Sequence, residues 1–309
     1  MTPRIACLFP GQGSQAVGMG REFYDRSREA RELFDEADSV LGFGLSRLCF
    51  EGPEDELRLT QNTQPALLVV SAAAYRLLGL SPVVAAGHSL GEYSALVAAG
   101  ALAFDDAVRL VHKRGLYMQE AVPIGTGAMA AVLGVPAEEV GGRLGEVRSG
   151  VADIANLNSE GQVVISGQKA AVEEALDLIK PPRSVMLPVS APFHSRLMKP
   201  AEERLGGDLD ATVFENPAFP IITNVDARVV RTGPEARDAL KRQVSRAVLW
   251  TATMDLLKDM GLGACVEVGA GKVLAGLLRR AGRNWPSPPA VFTTESWESL
   301  EKSRAGLQA

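Results

Sequence analysis

Val83-Val84-Ala85-Ala86-Gly87-His88-Ser89-Leu90-Gly91-Glu92 opens as a short apolar run, turns between two glycines and leads into a helical stretch over 92–99. A strand that meets a helix through Gly-x-Ser-x-Gly is the setting of a nucleophile elbow. The sharp turn holds the Ser89 hydroxyl out of the sheet, and the glycines let the backbone turn without side-chain clashes. The helix N-terminus behind it points amide donors and a positive dipole at any oxyanion formed there. The bland alternative is a glycine-rich turn in which Ser89 merely caps the helix.

Outward from the elbow the same rhythm recurs. Short apolar runs at 5–9, 83–86, 221–223, 265–268 and 291–293 are bounded by glycine or proline, with amphipathic stretches between them. That alternation predicts an α/β layer structure with a mostly parallel sheet. One segment breaks it. Pieces at 129–135, 137–144, 151–157, 162–166, 170–179 and 185–189 read strand, helix, strand, strand, helix, strand, the split βαβ order of a ferredoxin-like unit. Because α/β signals resume afterwards, the expectation is a large domain from residues 1–124 and 192–309, with a small ferredoxin-like domain, 125–191, inserted into it. A ligand site in the cleft between them is expected.

Composition narrows the classes. The 309 residues are 46% hydrophobic and 22% charged, an ordinary globular balance that excludes a largely disordered chain. A formal charge of −5 gives no basic footprint for nucleic acid, and no apolar stretch reaches the length of a membrane span. The start of the chain lacks the pattern of a signal peptide, so the expected location is cytoplasmic. Cys7, Cys49 and Cys265 are odd in number and set among apolar neighbours, which suits buried free thiols rather than disulfides or a metal site. Arg279, Arg280 and Arg283 read as a solvated helix end.

A serine nucleophile needs a base, and the chain has three histidines. His88 adjoins Ser89, so its side chain should diverge from the hydroxyl and support the turn. His112 falls on the polar side of a helix over 105–122 and reads as a surface residue. His194, in Ser190-Ala191-Pro192-Phe193-His194-Ser195 at the return from the inserted unit, is the best-placed base. No acid announces itself as a third member. Asp226 is a possible partner and equally a turn residue, and a backbone carbonyl can orient a histidine instead. Arg114 lies on the apolar stripe Ala107, Leu110, Val111, Met118 and Ala121. A cation there means a carboxylated substrate, an internal ion pair with an Asp or Glu, or a side chain that reaches past the core to water, and the spacing does not choose.

Two glycine loops mislead. Gly11-Gln12-Gly13-Ser14-Gln15-Ala16 resembles a loose dinucleotide fingerprint, but 22–40 reads as one long charged helix where a second strand should follow. Gly269-Ala270-Gly271-Lys272 lacks the glycine of a phosphate loop at Val266 and the hydroxyl at Val273, so ATP binding is rejected.

Taken in order, Phe9-Pro10-Gly11-Gln12-Gly13-Ser14-Gln15, Thr63-Gln64-Pro65-Ala66, Gly87-His88-Ser89-Leu90-Gly91-Glu92, Arg114 with Met118-Gln119, Gly125-Thr126-Gly127-Ala128-Met129, Pro192-Phe193-His194-Ser195 and Glu267-Val268-Gly269 span nearly the whole chain. This set resembles the malonyl-CoA:acyl carrier protein transacylases of fatty acid synthesis. The resemblance implies a hydrolase-like large domain with an inserted ferredoxin-like lobe, and a ping-pong transfer of malonyl from malonyl-CoA to the phosphopantetheine thiol of acyl carrier protein. No metal or permanently bound cofactor, nucleic acid or membrane is involved. By the same resemblance Ser89 is the nucleophile, His194 the base and Arg114 the carboxylate anchor. The main-chain amides of Gln12 and Leu90 form the oxyanion hole, Gln64, Asn158 and Met118 belong to the pocket, and Phe193 leaves little room for a branched acyl group. Leu249 stands where many relatives carry glutamine, and its carbonyl is expected to orient His194. A serine thioesterase and a carrier-binding module that kept the fold are the rival readings.

Overall fold

The computed structural model describes residues 4–308 except Ile124 and Ser190. Ile124 ends the first segment of the expected large domain, and Ser190 opens the loop before His194, so those two positions lie outside the described residues.

Ten strands are present among the described residues: β1 Ile5–Phe9, β2 Val84–Gly87, β3 Gly127–Leu133, β4 Ala152–Ser159, β5 Gln162–Gln168, β6 Arg183–Met186, β7 Ile221–Ile222, β8 Val229–Val230, β9 Ala264–Glu267 and β10 Ala290–Thr293. Six form one sheet in the order β10-β9-β1-β2-β7-β8. Its neighbours are parallel except the terminal pair β7 and β8. In β1 every residue is buried, because both faces of the sheet are covered. Cys7 and Phe9 face one core with the helix Thr60–Leu78, while Ala6 and Leu8 face another that includes Trp250 and Leu274. Cys7, Cys49 and Cys265 are free and buried, and burial pushes the Cys49 thiol up to about 12.

The other four strands form a separate sheet in the order β4-β5-β3-β6, antiparallel at every pairing. The helices Ala137–Leu144 and Lys169–Ile179 complete the strand-helix-strand-strand-helix-strand order and bury Val140, Val172 and Ala175 against the sheet. The two sheets are stitched together at β4. Leu157 N donates to Val248 O at 2.9 Å, Val248 N donates to Ala155 O at 2.9 Å, and the Thr251 hydroxyl donates to Leu157 O at 3.0 Å.

Several expectations are corrected. The stretch 22–40 is two helices, Arg21–Arg26 and Arg28–Leu41, because Ser27 is extended and its hydroxyl caps the second by accepting from Ala30 N. The strand expected at 185–189 is Arg183–Met186, and the short edge strand β8 was not anticipated. His112 is half-buried rather than at the surface, with its Nδ1 2.9 Å from Gln61 O. Lys272, in the rejected phosphate-like loop, pairs with Glu295 at 2.8 Å.

Candidate active site

The turn after β2 is strained where the chemistry needs it. Ser89 has φ 52°, a left-handed conformation that costs a non-glycine residue free energy and persists only where its surroundings enforce it. Enforcement comes from close packing. A Cβ on Gly87 would lie 1.9 Å from the Gly91 backbone, and one on Gly91 would lie 2.0 Å from Phe9 O, so both elbow glycines are sterically required. Asn224 then clamps the turn. Its Oδ1 accepts from Ser89 N at 2.6 Å and its Nδ2 donates to Gly87 O at 2.6 Å.

The Ser89 hydroxyl lies 2.7 Å from His194 Nε2. His194 is itself held at φ 58°, and its Nδ1 faces two carbonyls, Gln243 O at 3.0 Å and Arg246 O at 3.2 Å. Carbonyls only accept, so Nδ1 carries the proton and Nε2 is the acceptor for the Ser89 O–H. Burial, then the nearby Arg114 charge, lowers the imidazole to about 3, which leaves Nε2 unprotonated and facing the Ser89 hydroxyl as an acceptor. Leu249 does not have the expected role, since its carbonyl accepts from Thr253 one helical turn on and the carbonyls near His194 belong to Gln243 and Arg246. Nor does Asp226 complete a triad. Its carboxylate is taken by Arg242 at 2.7 and 2.6 Å.

Arg114 is 1% exposed, on the helix Phe104–Glu120. Its Nη1 donates to Gln64 Oε1 at 2.8 Å, and its Nη2 donates to Ser89 Oγ at 3.1 Å and to Gln243 Oε1 at 3.0 Å. The guanidinium offers five N–H donors, and all three of these acceptors are neutral. Its Nε has no acceptor among the described residues. The internal ion pair that sequence left open is therefore not formed: no carboxylate among the described residues lies within salt-bridge distance of Arg114. The Glu92 carboxyl acts on Arg114 only through space, without a direct contact, and a buried cation with no directly paired carboxylate is costly, a cost that an anionic ligand relieves.

A cavity of about 110 Å³ joins these groups. It is far smaller than a drug-sized pocket and suits a short acyl group. Gln12, Gln64, Ser89, Leu90, Arg114 and His194 line its polar part, and Met118, Met129, Leu187, Val189 and Phe193 its apolar wall. Both sheets contribute: Met129 and Asn156 lie on β3 and β4 of the antiparallel sheet, while Gln12 and Ser89 sit in the loops that follow β1 and β2 of the parallel one. Asn156, not the expected Asn158, lines the cavity; Asn158 Oδ1 sits 2.9 Å from Nε2 of His88, which itself borders the cavity. His88 packs on Trp250 at 5.4 Å, supporting the turn. Among the described residues the main-chain N–H groups of Gln12 and Leu90 donate to no protein acceptor and border the space beside Ser89. No group of three His, Cys, Asp or Glu among the described residues is placed to hold a metal ion.

With this geometry in place, comparison with known proteins gives the family. The model of the acyl transferase domain family matches residues 7–296. The chain belongs to the acyl transferase family. This acyltransferase is 48% identical over 289 residues to the malonyl CoA-acyl carrier protein transacylase of Bacillus subtilis, covering 91% of each chain. It is 46% identical to the protein of the same name from Escherichia coli K12, over 90% of this chain and 92% of that one. Among solved structures, the malonyl CoA-acyl carrier protein transacylase of Coxiella burnetii superposes with a TM-score of 0.95 at 39% identity, over 100% of this chain and 99% of the other. A malonyl-transacylase solved in complex with its type II polyketide-synthase acyl-carrier protein superposes at 0.94 with 41% identity, over 98% and 99%.

Sequence reasoning missed three buried polar residues of the acyltransferase site: Glu92, Asn224 and Gln243. Glu92 Oε2 accepts from Asn224 N at 2.9 Å and from Gln243 Nε2 at 2.8 Å. Burial raises its carboxyl to about 7, with those hydrogen bonds opposing the rise. The only prior signal was the acidic residue that closes the elbow motif.

Proposed function

We propose that this acyltransferase moves a malonyl group from malonyl-CoA to the phosphopantetheine thiol of an acyl carrier protein through a malonyl-Ser89 intermediate. The observation that carries this reading is the buried Arg114 guanidinium, without a directly paired carboxylate and 3.1 Å from the Ser89 hydroxyl, where an acyl group ending in a carboxylate would find its counter-charge. His194 Nε2 takes the Ser89 proton as Oγ attacks the thioester carbon. The negative charge on the carbonyl oxygen is met by the amides of Gln12 and Leu90. Collapse breaks the C–S bond, and the proton on His194 goes to the departing CoA thiolate. In the second half His194 takes the proton of the carrier thiol, whose sulfur attacks the malonyl ester, and returns it to Ser89. Gln64 holds Arg114, Met118 and Phe193 shape the pocket, and the cavity size keeps the acyl group short.

We further assign residues 1–124 and 192–309 to a large catalytic domain and 125–191 to an inserted ferredoxin-like domain, supported by the two separate sheets and by the cavity lined from both. Three buried free thiols suit a reducing cytoplasm, and no helix among the described residues is long and apolar enough to cross a membrane.

The test is intact mass after brief incubation with malonyl-CoA, beside Ser89→Ala. A malonyl adduct on the wild type alone, discharged by holo-carrier protein and not by water, is expected. Rapid loss to water without a carrier would make the protein a hydrolase, and absence of any adduct would leave a binding module.

A further inference from the structure

Gln243 is the last residue of the helix Gly233–Gln243, fully buried, and no motif in the sequence points to it. It touches both halves of the chemistry. Its main-chain carbonyl accepts from His194 Nδ1 at 3.0 Å, and its side-chain Oε1 accepts from Arg114 Nη2 at 3.0 Å. The amide cannot be turned over. Its Nε2 faces Ser89 O at 3.0 Å and Glu92 Oε2 at 2.8 Å, both acceptors, so the oxygen is fixed toward the arginine.

We propose that Gln243 is a positioning residue that sets acyl selectivity, locking Arg114 and His194 into one frame through a neutral acceptor so that the arginine's charge stays available to an anionic acyl group. The inference rests on the reading of Ser89 as the acylated residue and Arg114 as the anchor. Its physical core is the difference between an amide and a carboxylate at one position. Both can accept from Arg114 Nη2, but a carboxylate would form the buried ion pair in advance, and an incoming malonyl carboxylate would then have to compete with it. The second acceptor on Arg114, Gln64 Oε1, is neutral as well. Glu92, the nearest acid, is turned toward Gln243 and Asn224 and makes no hydrogen bond to Arg114.

The experiment compares wild type, Gln243→Glu and Gln243→Met, reading kcat/KM for acylation of Ser89 by malonyl-CoA and by acetyl-CoA from intact mass. In Gln243→Glu the malonyl-over-acetyl ratio is expected to fall by roughly tenfold or more, the size of one charge-assisted hydrogen bond. In Gln243→Met the arginine keeps its charge and loses a tether, so the malonyl KM rises while the preference for malonyl persists. A ratio in Gln243→Glu unchanged from wild type overturns the proposal, as does an equal collapse in Gln243→Met, which would mark a packing effect. Should Gln243→Glu fail to fold by circular dichroism, an unchanged malonyl KM in Gln243→Met overturns it alone. If wild type itself takes no malonyl group, the acyl-transfer reading fails rather than the role of Gln243.

Discussion

Replacing Arg114 with alanine separates recognition from chemistry. In the wild type the guanidinium donates only to neutral partners, Gln64, Ser89 and Gln243, with Glu92 acting on it through space alone, so a malonyl carboxylate would be its one directly paired anion. Without Arg114 that carboxylate enters a largely buried cavity unpaired, a loss of about 3–5 kcal/mol. At about 1.4 kcal/mol per decade this lowers kcat/KM for malonyl-CoA by roughly 10²–10³. Acetyl-CoA has no carboxylate to lose. The fold should tolerate the change: the Gln64 and Gln243 carbonyls lose a donor, at about 1–3 kcal/mol each, offset in part by removal of a desolvated charge. A second effect has the opposite sign to simple damage. Arg114 is one of the causes that hold His194 down, so its removal raises the imidazole pKa and moves the acid limb of acetylation upward in pH. The assay is intact-mass acylation by each thioester across pH. An unchanged malonyl-over-acetyl ratio would refute the anchor role, and an unmoved acid limb would refute the electrostatic coupling to His194.

In the wild type, with His194 lowered to about 3, the rate of Ser89 acylation should show no acid limb near pH 6.5, which stopped-flow or quenched acylation between about pH 5 and 8 would check. The same shift has a stability consequence. Below 6.5 the unfolded chain binds a proton that the native imidazole refuses, so this contribution is present above 6.5 and lost as pH falls toward 3. Glu92 acts oppositely, because its carboxyl is raised from 4.5 to about 7: its contribution is full below 4.5 and lost as pH rises through 7. Glu92→Gln should therefore flatten the decline of urea-midpoint stability between about pH 5 and 8, and an unaltered profile would show that Glu92 is not the group responsible. Asn224→Ala strips the acceptor from Ser89 N and the donor from Gly87 O, and should cost about 1–3 kcal/mol for each group left unpaired, with slower acylation. Wild-type stability and rate in that variant would count against the clamp. Phe193→Ala widens the cavity beside His194 and should raise acylation by methylmalonyl-CoA relative to malonyl-CoA in a competition assay.

The layer architecture was legible because its signals are local. Runs such as 5–9 and 265–268 are short, apolar and bounded by glycine or proline, and β1 and β9 sit within a residue of those bounds. The inserted unit was legible from element order, and its four strands pair antiparallel as that order requires. What escaped was set by tertiary contact. The break at Ser27 depends on one hydroxyl reaching Ala30 N within a stretch that is helical by composition throughout. Strand β8 has two residues and exists only because β7 lies beside it.

In the candidate site the divide falls between side chains that meet substrate and those that hold them. Ser89 and His194 come from segments that had to differ from their surroundings: a turn with two glycines and a proline-containing loop. Arg114 was conspicuous because a cation is out of place on an apolar stripe, yet whether it was paired could not be settled from one helix. That answer lay 129 residues away, in the neutral amide of Gln243. Gln243 looks like any polar residue at a helix end, and Asn224 like any turn residue. Their importance comes from being buried with the nitrogen and the oxygen of each side-chain amide hydrogen-bonded, a property of the assembled fold that no spacing records. The mistaken expectation for Leu249 has the same origin. Every residue has a carbonyl, so which one faces His194 Nδ1 is decided by the path of the backbone after the helix Gly233–Gln243, where the carbonyls of Gln243 and Arg246 converge on the ring.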